Sequence, residues 1–347
     1  MKRIILFFAL LGILSGGVFA QSDLQSVAIV RLTRSEPITV KQLRTEVERA
    51  EQTAGRALTP AERRQVLDVM INERLALQAA ERDNVSVSDA EVNQQLQQLR
   101  AILAQNIGHP PSDADFEQAV RNESGLDVSG FREQLKRQAT VQKYLLNKKR
   151  NLFEGISPPT EVEIASAYSL SRTTFIRPET VRFSFILVPG GANAEESARA
   201  RAQAEQLLRD IGGNTGRFDD AIIRAGAPNS SYRGGDGGYI PRNVQAQQVM
   251  GADFVNSAFA LRQGEVSRII ESPRGYMIIK ITETLEQKNL ELTDIAQPGT
   301  NLTVRDYISN TLLQERQTQV FETAQRELIT ELRQGNSFQI FENYLNF

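Results

Sequence analysis

The stretch ADFVNSAFALRQGEVSRIIESPRGYMIIKI, residues 252–281, decides the reading of this 347-residue chain. Its second half is β-type: Val266 to Ile270 and Gly275 to Ile281 read as two strands around the turn cluster Ser272-Pro273-Arg274. Working outward, VRFSFILV at 181–188 alternates and is rich in β-branched and aromatic residues, which makes it another strand. Glu195 to Ile211 reads as a helix ended by Gly212-Gly213-Asn214, and Phe218 to Arg224 as a shorter one. Gly234-Gly235-Asp236-Gly237-Gly238 reads as a loop, because few other segments tolerate so many glycines. Together these pieces make an α+β unit of about 105 residues, near the usual domain size.

The flanks have a different character. Val27 to Val30 and Ile38 to Val40 are short β-type runs around the turn Arg34-Ser35-Glu36-Pro37. About 110 residues of amphipathic helix follow. Thr59-Pro60-Ala61-Glu62 and Ser88-Asp89-Ala90-Glu91 are capping boxes, in which a hydroxyl and a carboxylate reciprocally satisfy the free N–H groups of a first turn. Val87 and Val92 stand at the spacing of a hydrophobic staple, and Val92, Leu96, Leu99 and Leu103 form an expected buried stripe. His109-Pro110-Pro111 breaks the pattern, Ser112 restarts it, and Phe131, Leu135, Ala139 and Leu146 mark a further helix. These stripes exceed what neighbouring helices can cover, so another element is needed.

A suitable partner is the C-terminus. Ile308, Leu312, Val320, Ala324, Leu328 and Leu332 recur at multiples of four between Thr303, an N-cap, and Gly335, a stop. The helix would be about 30 residues, or about 45 Å, long. It is expected to fold back onto the N-terminal helices; an independent coiled coil fits less well because Arg316 interrupts the stripe.

Composition narrows the chemistry. Forty Lys+Arg against 42 Asp+Glu leave no cationic excess for a dedicated nucleic-acid binder. Zero Cys excludes disulfides and thiol catalysis, and one His, His109, excludes any two-His metal site. No metal and no cofactor are expected, and the Gly-rich segment lacks the Lys-Ser/Thr of a phosphate loop. Lys2 and Arg3, the apolar run Ile4 to Leu14, and Val18-Phe19-Ala20 before Gln21 read as a cleaved secretory signal. Its apolar core is too short to span a bilayer, which needs about 20 residues. Without residues 1–20 the balance is 38 against 42, a charge of −4. Periplasmic localisation follows as the expectation. Lys148-Lys149-Arg150 is expected to be a solvated helix end, and Asn301-Leu302-Thr303, though it matches a glycosylation acceptor, reads better as the cap of the long helix.

Three pieces, VRFSFILV at 181–188, GGDGGYI at 234–240 and the 252–281 stretch, resemble a parvulin-type (PpiC-like) peptidyl-prolyl isomerase domain. The flanks resemble the chaperone module of SurA-type periplasmic proteins, through EPITVKQLR near 36–44, LDVMINERLALQAAERDNVSVSDAEV and VSGFREQLKRQATVQKYLL. The expected fold class is α+β: a helical SurA-like N-terminal module completed by a long C-terminal helix, with an inserted parvulin-like α+β domain. The expected boundaries are a signal peptide at 1–20, the helical module at 21–174, the parvulin-like domain at 175–283 and the C-terminal segment at 284–347.

The resemblance implies a chaperone of unfolded exported polypeptides, chiefly outer-membrane β-barrel precursors, with the outer-membrane assembly machinery as a further partner. Its alternatives are an active prolyl isomerase and a non-catalytic structural or surface protein. In the parvulin pattern the proline ring is gripped by a Met and a Phe, which fall here on Met250 and Phe254, with Phe259 beside them. The family's two histidines fall on Phe185 and Met277, and its Asp or Cys near Ala227-Pro228, with Asn229 and Ser230 close by. No His lies between residues 110 and 347. The expectation is an apolar grip without tuned electrostatics and with weak or absent isomerase activity; the rival is that gripping suffices for slow catalysis. Asp236, beside Gly235, is expected to accept backbone N–H bonds as a turn-former.

Overall fold

The computed structural model describes residues 24–344, so the expected signal segment lies outside it. The chain opens with strands Ser26–Arg31 (β1) and Ser35–Thr39 (β2). Helices Val40–Ala54 (α1), Pro60–Arg82 (α2), Asp89–Ile107 (α3), Asp113–Ser124 (α4), Val128–Lys148 (α5), Arg150–Glu154 (α6) and Glu161–Ser171 (α7) follow. Next come Ile176–Arg177 (β3), Thr180–Pro189 (β4), Ala194–Ile211 (α8), Thr215–Ala225 (α9), Arg233–Pro241 (β5), Val244–Met250 (α10) and Ala252–Phe259 (α11). Ile270–Ser272 (β6), Gly275–Leu285 (β7), Lys288–Asn289 (β8), the 29-residue helix Val304–Leu332 (α12) and Phe338–Ile340 (β9) complete it. Two compact units result: the chain up to Ile156 together with the chain from Arg316, and Ser157–Glu315. The α+β class, with a helical module completed from the C-terminus around an inserted domain, is the one expected.

In the first unit β1 is the centre of a sheet ordered β2-β1-β9. The C-terminus supplies β9, antiparallel to β1 with Ala28 opposite Ile340 and Val30 opposite Phe338. Val27, Ile38, Leu43, Leu67, Ile71, Leu75 and Tyr144 form one core with Ala324, Leu328 and Leu332 of α12. The expected capping boxes at Thr59 and Ser88 are present, and Val87 and Val92 of the staple are both buried. Fully buried Gln78 accepts from the backbone N–H groups of Leu32 and Thr33, both at 3.0 Å, and donates to Glu36 at 3.1 Å. That side chain closes the β1–β2 turn, which lies at residues 32–34 rather than at 34–37. Pro37 is instead inside β2, tolerated because β2 is an edge strand.

Two further expectations change. Of the expected α3 stripe only Val92 is buried: Leu96 and Leu103 are half-buried and Leu99 is 37% exposed, while Ile102 and Ile107, outside that stripe, are 54% and 38% exposed. The helix is tied to α5 by the ion pairs Lys136–Asp89 and Lys143–Glu91, both at 2.9 Å, and to α4 by Arg100, which lies over the Phe116 ring at 4.3 Å and pairs with Asp113 at 2.7 Å. Lys149 is not solvated: it is buried and donates to Glu327 at 3.0 Å and Glu331 at 2.6 Å, tying the end of α5 to α12.

The second unit is built on an antiparallel sheet ordered β5-β4-β7-β6. Alternation along β4 and β7 sends Ile186, Val188 and Ile278 under α8 and α9, and Val181, Phe183, Ile279 and Ile281 under α10 and α11. A small third cluster joins Ile164 of α7 and Leu290 to Val304 and Ile308 of α12. The expected strand at Val266 to Ile270 is shorter and later, Ile270–Ser272; Val266 makes a single bridge to Lys280, and the Ser267 hydroxyl accepts from the Ile279 N–H at 2.9 Å.

Helix α12 thus serves both units. Ile308 and Leu312 pack with Ile164 and Leu290, Ala324, Leu328 and Leu332 with the first core, and the changeover falls at Arg316, where the stripe breaks. It is not an independent coiled coil. Thr303 caps it: its hydroxyl accepts from the Asp306 N–H at 3.1 Å and donates to the Asp306 carboxylate at 2.6 Å.

Candidate functional site

Strand parity builds the candidate site. Phe183, Phe185 and Leu187 stand on one face of β4, opposite Ile281, Ile279 and Met277 of β7. Phe185 and Met277 are therefore diagonal neighbours on that face, close enough for long side chains to interact. Phe254 of α11 meets the Phe183 ring edge-on at 5.3 Å, and Phe185 lies 6.5 Å from Phe183. Met250, Phe259 and Leu261 pack on the same cluster. The five residues singled out, Met250, Phe254, Phe259, Phe185 and Met277, thus share one apolar cluster. Phe254 and Met277 are buried within it, whereas Phe185, Met250 and Phe259 are half-buried and reach the surface.

The polar surroundings sit at the margins. Arg242, between β5 and α10, lies over the Phe259 ring at 5.3 Å from its centroid and donates to Glu179 at 2.7 Å. The cluster supplies contact area and shape, and the polar groups that meet it come from its margin, as Arg242 does. Arg242 is a neighbour that the sequence reading did not identify; the Pro-Arg-Asn step between strand and helix carried no recognisable signal.

The Gly-rich segment is not a loop. Residues 233–241 form strand β5, paired along its length with β4 and bulged between the Phe183–Gly238 and Ser184–Asp236 pairs, where Gly237 is the extra residue. A Cβ on Gly237 would lie 2.2 Å from the Phe183 ring, so the strand can cross beneath that ring only as glycine. Gly235, opposite Phe185, has space around it. Asp236 pairs with Ser184 and therefore points to the face away from the cluster. There it accepts from the Gly238 N–H at 2.9 Å, as a turn-former would, and is ion-paired with Arg182. The Arg182 guanidinium, with the Gly238 N–H, holds the Asp236 carboxyl below its ordinary range. Asn229 and Ser230 line a cleft of about 660 Å³ with Arg217 and Arg224 beside α8 and α9, and not the apolar cluster.

Known proteins carry the same two parts. Residues 2–145 match the model of the SurA-like N-terminal domain, and residues 159–297 that of the PPIC-type PPIase domain. This chain carries a SurA-like N-terminal domain and a PPIC-type PPIase domain. The PPIC-type match falls inside the second compact unit. Chaperone SurA of Alcanivorax borkumensis is 30% identical over 222 residues, 64% of this chain and 47% of that one. Chaperone SurA of Ralstonia nicotianae is 27% identical over 239 residues, 67% of this chain and 45% of that one. The alignments thus span about half the length of these curated relatives. A solved SurA-like chaperone of Campylobacter jejuni aligns with 91% of this chain and 99% of its own at 11% identity, with a TM-score of 0.41, a superposition too loose to bear on the site.

Within the PPIC-type domain the rotation of an X-Pro bond has a barrier of about 18–20 kcal/mol, set by amide resonance. A cluster that grips a proline ring can hold the substrate while the amide twists. Faster turnover requires groups that interact more strongly with the twisted amide than with the planar one.

Proposed function

We propose that this protein is a periplasmic chaperone that holds unfolded exported polypeptides, chiefly outer-membrane protein precursors. Its PPIC-type domain would grip proline-containing segments with little or no isomerisation. The observation that carries the reading is that Phe185, Met250, Phe254, Phe259 and Met277 share one apolar cluster, in which Phe185 and Met277 stand where the resemblance puts the family's histidines. Unfolded barrel precursors expose alternating apolar residues and unpaired strand edges, and surfaces of this kind bind many sequences weakly. The α3 residues Leu99, Ile102 and Ile107, left at the surface, add a second apolar area in the SurA-like domain. Export rests on the signal-like residues 1–20, and no described helix is long and apolar enough to cross a membrane.

We take residues 175–283 as the isomerase-like part proper and 157–174 with 284–315 as its frame, a division supported by the separate cluster of Ile164, Leu290, Val304 and Ile308. The outer-membrane assembly machinery is proposed as the receiving partner on the strength of the resemblance alone.

Two assays on the full chain test the reading. Suppression of aggregation of a diluted barrel-type client should be strong, and acceleration of a proline-limited refolding reaction slight. Absence of protection would remove the chaperone assignment. Refolding acceleration at the level of an efficient isomerase would favour the second reading, an active enzyme, which the retained Met250 and Phe254 support.

A further inference from the structure

Strand β5 is an outer strand of its four-stranded sheet and nine residues long, whereas β6 at the opposite edge has three residues. Its free edge has a defined phase. Along β4 the Arg182 carbonyl accepts from the Thr282 hydroxyl of β7 at 3.2 Å, and the Glu179 carbonyl from the Arg242 N–H at 2.7 Å. Even-numbered β4 residues therefore bond towards β7 and odd-numbered ones towards β5. Gly234 and Asp236 lie opposite Ile186 and Ser184, both even, and so turn their own N–H and C=O groups away from β4. No other strand pairs with them among the described residues, and Asp236 and Gly237 are exposed. Unpaired backbone groups of this kind are a template for a further strand.

The edge separates two unlike faces. On one, Phe183 and Phe185 belong to the apolar cluster; on the other, Arg182 is ion-paired with Asp236, and Lys280, opposite Ser184, with Asp219. Gly235 stands between the edge and the Phe185 ring: the nearest atom to a Cβ built there belongs to that ring, at 3.9 Å. A strand laid about 4.8 Å beyond β5 would place every second side chain over this glycine and against the ring, and the intervening ones beside Asp236. The chemistry that fits is an extended segment alternating apolar and polar residues, the pattern of a barrel strand before closure. A second copy of the chain fits less well, since two glycine edges would meet without cross-strand side-chain pairs.

We infer that clients add to β5 as a further antiparallel strand, with alternate apolar side chains on the Phe185 side and polar ones on the Asp236 side. This rests on the reading that the PPIC-type domain grips clients, and it names the segments taken: those of strand pattern, with or without proline. Parity also fixes which client amides bond. Residues directly opposite one another share a face, so the client's polar residues, opposite Gly234 and Asp236, point their N–H and C=O groups at β5. Its apolar residues point theirs away.

The test uses the full chain and two labelled peptides of identical composition, flanked by lysines for solubility. In one, leucine and threonine alternate; in the other, the leucines are grouped. The alternating peptide should bind about tenfold more tightly, because only it can satisfy both faces while its backbone pairs. N-methylation of two threonine amides should weaken it at least about tenfold, and N-methylation of two leucine amides should leave it unchanged. Binding should also slow hydrogen exchange at the Gly234 and Asp236 amides, read by NMR, at least about tenfold. A grip by side chains alone leaves those amides free.

Equal binding of the two peptides, sensitivity at the leucine amides, or unchanged exchange at Gly234 and Asp236 would each overturn the strand addition. So would a free protein that is dimeric with those amides already protected, since the edge would then belong to a second copy. Met250→Ala and Phe259→Ala test the underlying reading separately, with a four-residue proline peptide. If they leave its affinity unchanged, the proline grip fails; a persisting contrast between threonine and leucine methylation would keep the strand addition.

Discussion

Gly237 shows how one hydrogen atom sets local structure. Its Cα passes under Phe183, where a methyl group would sit 2.2 Å from the ring. Phe183 is itself fixed by Phe254 at 5.3 Å, so the ring has little room to retreat. Gly237→Ala should therefore destabilise the PPIC-type unit by about 1–3 kcal/mol, the usual cost of overpacking. Denaturant midpoints of the two proteins check this. A loop was the natural reading of five residues of which four are glycine, because the sequence shows conformational freedom but not the ring that demands close approach. Phe185 and Met277 were singled out by the resemblance, and the β4–β7 register puts them on one face. If the polar network is what the grip lacks, the double variant Phe185→His/Met277→His should raise the proline-limited refolding rate at least about tenfold over the unaltered protein. An unchanged rate in a folded double variant would mean that the grip geometry, not the missing imidazoles, limits turnover.

At the scale of elements, the helix starts were the most readable features, because a capping box is satisfied within four residues. Two of them carry a pH dependence. Arg56, with the Thr59 N–H and hydroxyl, holds the Glu62 carboxyl at about 2, and Lys143, with Ser88, holds Glu91 at about 2. Both lie below the unfolded value of about 4.3. The native state thus binds these protons less readily than the unfolded chain. Their stabilisation is complete above about pH 4.3 and is lost as the pH falls toward 2. The midpoint of thermal unfolding should drop between pH 5 and pH 2.5, and Glu91→Gln should flatten part of that slope while lowering stability at pH 7. The α3 stripe was less readable. Period 3.6 predicts an apolar side but not a neighbour to cover it, and α5 holds α3 with surface ion pairs that leave Leu99, Ile102 and Ile107 out.

For the whole molecule, α12 is the element whose removal reaches furthest, since its two halves enter different cores. Leu328, 3% exposed, belongs with β1 and α2, and Ile308, 4% exposed, with α7 and Leu290. Leu328→Ala and Ile308→Ala should each cost about 2–5 kcal/mol, and each should lower hydrogen-exchange protection chiefly in its own unit. Loss of protection in both units from either substitution would show that the two unfold as one. The return of the chain to complete the first unit was anticipated from a stripe lacking a partner. The β9 strand that accompanies it was not, because Phe338 to Ile340 is three residues long and carries too little alternation to read.

What the sequence determined by itself is whatever is settled over a few residues or a fixed period: the helix starts, the parity of β4 and β7, the lack of Cys and of more than one His, and the stripe broken at Arg316. Those depend on covalent order and on repeats of 2.0 and 3.6 residues, which any reader can count. What only the tertiary structure decided is which apolar side finds a cover, that a run of glycines is a strand beneath a ring, and that Lys149 is buried between two glutamates. Each of these joins residues tens to hundreds of positions apart, and burial is set by the element that arrives from elsewhere in the chain.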